Sequence, residues 1–256
     1  MNANSTAAAP IRKALWIPSP GLLISARSLS ESQLVIAAGA RWLDVKEPDL
    51  GSLGRPPVEL IFSILELEIP EGVQVSIAGG ELKDWSEELD QVLAAKLPAR
   101  CYLKVALAGC IGSEWKVVAE RISRALVRHS QLILVHYADN ASSRSPSWQE
   151  VIETAKSLGG KFVLIDTHNK KSGGLLDHYT LYQLEEMICM AKQLKLGVAL
   201  AGSIQLAQLQ SLSKLQADWL GVRGAVCRDT LRTAEICPDL LKQAISSIPQ
   251  RPSIGS

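Results

Sequence analysis

Two residues of opposite charge lie two positions apart at the end of an apolar segment. Leu43-Asp44-Val45-Lys46 leads into Pro48 and the turn Gly51-Ser52-Leu53-Gly54. Because alternate residues of a β-strand point to the same face, we expect Asp44 and Lys46 to project together. A lysine in this place can form a Schiff base with a carbonyl compound if burial or neighbouring cations lower its pKa. For this pair alone, the ordinary alternative is a solvated loop lysine beside its counterion.

Further charged residues lie within or just after later apolar segments. Lys104 lies inside Cys101 to Val105, and Asp166 follows Phe162 to Ile165 with Lys170 four residues on. An unpaired lysine is costly to bury among apolar groups, so we expect Lys104 to point away from the surrounding helices. Its alternative is a lysine whose methylenes pack on apolar neighbours while its amine reaches water. Taken alone, Asp166 is as compatible with capping a loop as with binding a partner amine. The nearby Lys170 favours an ion pair between the two.

The chain repeatedly combines a short apolar segment with a longer amphipathic one. This alternation indicates β–α units around a parallel sheet. The helix after the last strand is predicted from Leu231 to Ser246. We predict eight strands, at Leu22 to Ser25, Trp42 to Val45, Val73 to Ile77, Cys101 to Val105, Leu132 to His136, Phe162 to Ile165, Val198 to Ala201 and Trp219 to Val222.

Eight β–α units favour an α/β fold of the closed (β/α)8 TIM-barrel type over an open, doubly wound sheet. An open sheet usually has fewer strands and a glycine-rich loop after the first one, whereas Ala26-Arg27-Ser28 follows here. We therefore predict a single TIM-barrel catalytic domain at residues 19–248. Residues 1–18 are predicted to be a peripheral or disordered extension, and residues 249–256 a C-terminal tail.

A barrel brings the carboxyl ends of all its strands to one mouth, where barrel enzymes have their active sites. The loops after strands seven and eight, Leu200-Ala201-Gly202-Ser203-Ile204 and Gly221-Val222-Arg223-Gly224-Ala225, have the position and the glycines typical of a phosphate site. Ordinary tight turns are the alternative for each loop. We expect the charged candidate catalytic residues to converge at the mouth: Asp44, Lys46, Lys104, Asp166 and Lys170. We expect the two loops to bind phosphate through Gly202, Ser203, Gly224 and a bidentate contact of Arg223.

Composition excludes several classes of function. The 256 residues carry 27 Lys plus Arg against 26 Asp plus Glu, so no net field favours nucleic acid or anionic lipid. No apolar stretch approaches the roughly 20 residues that span a bilayer. Five cysteines at irregular spacing indicate reduced thiols in a cytoplasmic protein. We expect a small-molecule substrate, no metal, no cofactor, no nucleic-acid or membrane partner, and leave a homo-oligomer open.

Several of these motifs together resemble the (5-formylfuran-3-yl)methyl phosphate synthase family of methanofuran biosynthesis. The resemblance extends over nearly the whole barrel, roughly Leu22 to Leu240. Its most specific block is Asp-Val-Lys-x-Pro followed by Gly-Ser-Leu-Gly, at residues 44–54. The motifs that carry it are Leu43-Asp44-Val45-Lys46, Gly51-Ser52-Leu53-Gly54, Leu103-Lys104-Val105, Tyr137-Ala138-Asp139, Asp166-Thr167-x-x-Lys170 and the loops at residues 200–204 and 221–225.

The resemblance implies a barrel lyase that condenses two molecules of glyceraldehyde 3-phosphate, one as its dihydroxyacetone phosphate isomer, with loss of phosphate and water. Carried over by position, it implies that Lys46 is the Schiff-base lysine. It also implies that Asp44, Lys104, Asp166 and Lys170 are the acids and bases around it. Two alternatives stay open: a Schiff-base aldolase that stops at a simple sugar phosphate, and a non-catalytic barrel that binds phosphorylated metabolites.

Two segments depart from the family pattern. Ala78-Gly79-Gly80-Glu81 has alanine where the family has threonine and lacks its Gly-Asp pair. The loop after Asp166 reads Thr-His-Asn-Lys-Lys-Ser-Gly-Gly, in place of a more apolar approach to Lys-Asp-Gly. We expect these departures to affect how the second substrate is bound more than the Schiff-base chemistry.

Overall fold

The computed structural model describes residues 20–99, 101–112, 114–126 and 130–248. The predicted N-terminal extension and C-terminal tail lie outside these residues. Within them, all eight predicted strands form, and the predicted TIM barrel is confirmed. The strands are β1 (Gly21–Ala26), β2 (Trp42–Val45), β3 (Gln74–Glu81), β4 (Cys101–Ala106), β5 (Gln131–Tyr137), β6 (Phe162–Asp166), β7 (Gly197–Leu200) and β8 (Trp219–Val222).

The eight strands are parallel and follow one another around the barrel in chain order, and β1 closes it against β8. The register between β2 and β3 places Asp44 beside Ser76. The register between β3 and β4 shifts between Ala78 and Glu81, near the end of β3. The helices are α1 (Leu29–Ala37), α2 (Val58–Leu65), α3 (Glu87–Val92), α4 (Trp115–Ala125), α5 (Asn140–Ser143), α6 (Trp148–Ser157), α7 (Leu175–His178), α8 (Leu181–Gln193), α9 (Leu206–Leu212) and α10 (Pro238–Ser247).

The last helix begins later than predicted. The predicted start at Leu231 is wrong, because Cys227 pairs with Ile236 in an antiparallel bridge and the chain between them forms a loop over the barrel mouth. Proline at the first position of α10 fits the observed start, since proline lacks the N–H that a first helical turn leaves unbonded. Three residues of this loop, Thr230, Leu231 and Arg232, line the mouth.

Four aromatic rings fill the amino-terminal end of the barrel. The ring of Trp42 lies 4.7 Å from that of Trp219, 5.0 Å from Tyr102 and 5.6 Å from Phe162, between centroids. A Cβ on Gly197 would lie 2.3 Å from Phe162, so this glycine makes room for the ring. This apolar layer closes one end of the barrel, and the polar side chains of the interior face the other.

Candidate active site

Asp44 and Lys104 form a buried ion pair inside the barrel. Lys104 Nζ lies 2.6 Å from Asp44 Oδ1, and the two residues are 3% and 0% exposed. Ser76 donates to the same oxygen at 2.7 Å, and Ser25 donates to Oδ2 at 2.9 Å. Lys104 thus points inward, as its sequence position predicts. The desolvated carboxylate is satisfied by one cation and two hydroxyls, which fixes it rigidly.

Asp166 and Lys170 form a second pair across the mouth. Lys170 Nζ lies 2.5 Å from Asp166 Oδ1 and donates also to the carbonyl and hydroxyl oxygens of Thr167, at 2.7 and 3.0 Å. Ser52 contacts Asp166 Oδ2 at 3.2 Å. Burial favours the protonated form of Asp166, but Lys170 and Lys46 outweigh it and lower its pKa. Burial lowers the pKa of Lys170, although Asp166 acts against this.

Of the three lysines in this site, Lys46 is the one without a carboxylate partner among the described residues. It is 9% exposed, and among the described residues no carboxylate oxygen lies within 4.0 Å of its Nζ. Burial lowers its pKa to about 7; Lys104 and Lys170 act in the same direction, while Asp166 and Asp44 oppose them. Among these five residues, each carboxylate is paired with another lysine, which leaves the amine of Lys46 unpaired. A large fraction of this amine is therefore neutral near pH 7.

A cavity of about 240 Å³ opens above these groups at the carboxyl ends of the strands. It is lined by all five of the predicted charged residues and by both of the predicted phosphate loops. Gly202 and Ser203 have φ angles of 111° and 51°, so their backbone turns sharply at the wall. In the part of the chain that the structure describes, the N–H groups of Gly202, Ser203 and Gly224 donate to no protein acceptor. They are available to an anion.

Arg223 lines this cavity, but its guanidinium is bound to other groups of the protein. All five of its N–H donors are used within the protein, with Nε on the carbonyl of Arg232 at 2.9 Å and Nη1 on that of Ser25 at 3.1 Å. Both Nη groups bind the carboxylate of Glu31, and Nη2 also donates to Ala234 at 2.8 Å. The phosphate contact expected of this side chain stays a prediction, and in this structure its donors are engaged by protein groups. Its guanidinium joins the end of β8 to α1 and to the loop before α10.

Arg232 is a site cation that the sequence reasoning missed. It is half-buried, lines the cavity with Thr230 and Leu231, and its Nη2 donates to the carbonyl of Gly51 at 2.5 Å. Burial lowers its pKa, and Asp166 opposes this shift. No sequence signal identifies it, because it lies ten residues beyond β8 in a segment that reads as helix. Only the loop over the mouth brings it to the site.

The family model of 4-HFC-P synthase matches residues 22–245, which is nearly the whole barrel. The chain belongs to the 4-HFC-P synthase family. Curated relatives named (5-formylfuran-3-yl)methyl phosphate synthase include one from Archaeoglobus fulgidus, 30% identical over 212 residues, covering 80% of this chain and 90% of that protein. A Methanococcus maripaludis relative of the same name is 30% identical over 231 residues, covering 88% of this chain and 97% of that protein. These synthase relatives indicate that the chain is an enzyme.

Solved structures of low sequence identity share the fold of this 4-HFC-P synthase family member. Phosphoribosyl anthranilate isomerase from Thermus thermophilus has a TM-score of 0.57 at 16% identity, over 89% of this chain and 97% of that one. The 3-hexulose-6-phosphate synthase of Salmonella typhimurium has a TM-score of 0.55 at 14% identity, over 88% and 98%. At these identities the likeness supports the barrel alone.

Metal-ligand clusters and membrane-spanning helices are both absent from the described residues of this family member. No cluster of three His, Cys, Asp or Glu side chains in residues 20–248, outside the gaps at 100, 113 and 127–129, is placed to hold a metal ion. No helix in the same residues is long and apolar enough to cross a membrane.

Proposed function

We propose that this protein is a (5-formylfuran-3-yl)methyl phosphate synthase that acts on triose phosphates through a Schiff base at Lys46. The observation that carries the proposal is the state of this amine: it is buried, it has no ion-pair partner among the described residues, and its pKa is about 7. An amine of this kind attacks carbonyl carbon at neutral pH without needing another base to deprotonate it. The family membership supports the choice of reaction.

The first step joins the ketone of dihydroxyacetone phosphate to Lys46. Nζ attacks the carbonyl carbon, and the carbonyl oxygen leaves as water with one proton from Nζ and one from solvent, so that a protonated imine remains. Its positive charge acidifies the neighbouring carbon, which gives a proton to a base and becomes an enamine. We assign this transfer to Asp166, because its buried carboxylate lines the same cavity as Lys46 and acts on it electrostatically. Asp44 and Lys104 line this cavity as an ion pair.

The second step forms the carbon–carbon bond. The enamine attacks the aldehyde of glyceraldehyde 3-phosphate, and ring closure with eliminations and hydrolysis of the imine releases the furan. Two molecules of C3H7O6P give one C6H7O6P, one H3PO4 and two H2O, so the atoms balance without an oxidant. Phosphate binding is assigned to the free N–H groups of the Gly202 and Gly224 loops together with Arg232.

We place the reaction in methanofuran biosynthesis, as the family resemblance implies, and in the cytoplasm. Three of the five cysteines are buried, which suits a reducing compartment. The substrate is a small triose phosphate, and no nucleic acid or membrane enters the scheme.

The test combines product analysis with covalent trapping. Incubation with glyceraldehyde 3-phosphate should give a product of composition C6H7O6P with furan-aldehyde absorbance, together with inorganic phosphate. Borohydride added with dihydroxyacetone phosphate should attach the reduced triose phosphate to the peptide containing Lys46. Lys46→Met should lose both the adduct and the product, whereas Lys171→Met, an exposed lysine next to Lys170, should keep both.

Three outcomes contradict the proposal in different ways. An adduct on Lys104 instead of Lys46 removes the assignment of the nucleophile. An adduct on Lys46 with only an open-chain sugar phosphate as product identifies a Schiff-base aldolase. Triose phosphate binding that Lys46→Met leaves unchanged, with no adduct and no turnover in the unaltered protein, identifies a barrel that only binds phosphorylated metabolites.

A further inference from the structure

The two segments that depart from the family pattern meet at the mouth of the barrel. Glu81, at the end of β3, and His168, in the loop after β6, are 87 residues apart in the chain, yet His168 Nδ1 lies 3.7 Å from Glu81 Oε1. The backbone N–H groups of His168 and Asn169 donate to Asp139 at 2.7 and 2.9 Å, which holds the loop in place. The histidine side chain is 42% exposed and thus open to a ligand.

Glu81 is itself held in a fixed orientation. The buried Tyr137 donates its hydroxyl to Glu81 Oε1 at 2.7 Å, and the N–H of Ala108 donates to Oε2 at 2.9 Å. Burial and Glu81 raise the pKa of Tyr137 well above its usual value, so the phenol stays a donor. The Tyr137 ring lies 5.0 Å from the imidazole of His168. Both carboxylate oxygens are occupied, so Glu81 is suited to orient the histidine rather than to act directly.

This cluster adjoins the site already described. Tyr137 is the strand partner of Asp166, and the hydroxyl of Ser52 influences its pKa while contacting Asp166 Oδ2 at 3.2 Å. With Nδ1 facing Glu81, the other nitrogen of His168 is free: no hydrogen bond from Nε2 reaches a described residue. Catalytic hydrogen bonds are often long before substrate binds, so a separation of 3.7 Å suits a pair that tightens on its ligand.

We propose that His168 is the acid that serves the second substrate, an aldehyde phosphate, with Glu81 and Tyr137 as its positioning residues. This inference rests on the proposed function. As the enamine carbon bonds to the aldehyde carbon, the carbonyl electron pair moves to oxygen, and that oxygen takes the proton from Nε2. The neutral imidazole, exposed at the rim, regains a proton from water.

The experiment separates the two halves of the reaction. In His168→Gln, the fraction of Lys46 trapped with dihydroxyacetone phosphate and borohydride should stay within twofold of the unaltered enzyme. Furan formation from glyceraldehyde 3-phosphate should fall about 100-fold, the usual size of a lost proton transfer. His178→Gln, the same change in a histidine of α7, should keep both. Added imidazole should restore part of the turnover of His168→Ala, which a merely structural role of His168 does not predict.

A positioning role for Glu81 predicts a kcat about tenfold lower in Glu81→Gln, with little change in KM. The proposal fails if His168→Gln makes furan within threefold of the unaltered rate, or if trapping and product fall together. If the unaltered enzyme traps the ketone but yields only an open-chain sugar phosphate, the proposed function fails. The rate at which His168→Gln forms that sugar phosphate, relative to the unaltered enzyme, then decides the role of His168. If the unaltered enzyme reacts with neither triose phosphate, both proposals fall.

Discussion

Asp44 forms its ion pair with Lys104, two strands away, and not with Lys46, two residues further along the chain. Lys104 Nζ lies 2.6 Å from Asp44 Oδ1. Lys170 neutralises Asp166 in the same way at 2.5 Å. Because each carboxylate already has a cation, neither forms an ion pair with the amine of Lys46. Burial therefore dominates and lowers the pKa of Lys46 to about 7. Pairing among its neighbours is what makes this lysine chemically distinct.

The pair between Asp44 and Lys104 should show strong energetic coupling. Breaking a buried pair leaves an uncompensated charge, so Asp44→Asn and Lys104→Met should each lower the free energy of unfolding by about 3–5 kcal/mol. The double variant should cost at least about 1 kcal/mol less than the sum of the two. Urea denaturation measures all three. The exposed pair of Glu120 and Arg124, also 2.6 Å apart, should show coupling below about 0.5 kcal/mol. Additive losses for Asp44 and Lys104 would contradict the pairing.

Lys46 should titrate near neutrality. Its neutral form dominates above a pKa of about 7, so the reactive fraction rises as the pH increases through this value and falls below it. In protein labelled with ¹³C at lysine Cε, the resonance that disappears in Lys46→Met should titrate at about pH 7. Titration of this resonance at the ordinary lysine value, roughly 10.4, would remove the basis of the proposed nucleophile.

Arg232, rather than Arg223, should carry the charge that binds phosphate. Loss of a charge-assisted hydrogen bond costs about 1.5–3 kcal/mol, so Arg232→Ala should weaken binding of inorganic phosphate roughly 10- to 100-fold, measured by calorimetry. Arg228→Ala, an exposed arginine of the same loop, should leave the affinity unchanged. Arg223→Ala should instead lower the midpoint of thermal unfolding, because it leaves the buried Glu31 without its cation. Equal phosphate affinity in Arg232→Ala and Arg228→Ala would exclude the assignment.

His136 should make the fold sensitive to acid. It is buried outside the active cavity against the ring of Trp148, with Nε2 3.1 Å from the Tyr179 hydroxyl, and burial lowers its pKa to about 4. The unfolded chain takes up this proton near pH 6.5, so stability is lost as the pH falls from there toward 4, by on the order of 3 kcal/mol. His136→Phe should flatten the dependence of unfolding free energy on pH in this range. An unchanged slope in His136→Phe would contradict the assignment.

Much of this molecule follows from local patterns in the chain. Apolar segments of strand length alternating with amphipathic segments predict all eight strands and the barrel, because each unit must bury one face against its neighbours. The closed barrel then requires that the residues at the carboxyl ends of β2, β4 and β6 share one mouth. The convergence of Asp44, Lys46, Lys104, Asp166 and Lys170 was predictable from these two facts.

The sequence by itself thus determined the barrel, its open end and the charged residues that gather there. The tertiary structure alone decided which of these residues pair, because pairing depends on distances across strands and on burial, neither of which a local pattern contains. It turned Arg223 away to meet Glu31, brought Arg232 over the mouth on a loop that reads as helix, and placed Glu81 beside His168. Each of these contacts joins residues far apart in the chain, and a folded backbone is needed to bring them together.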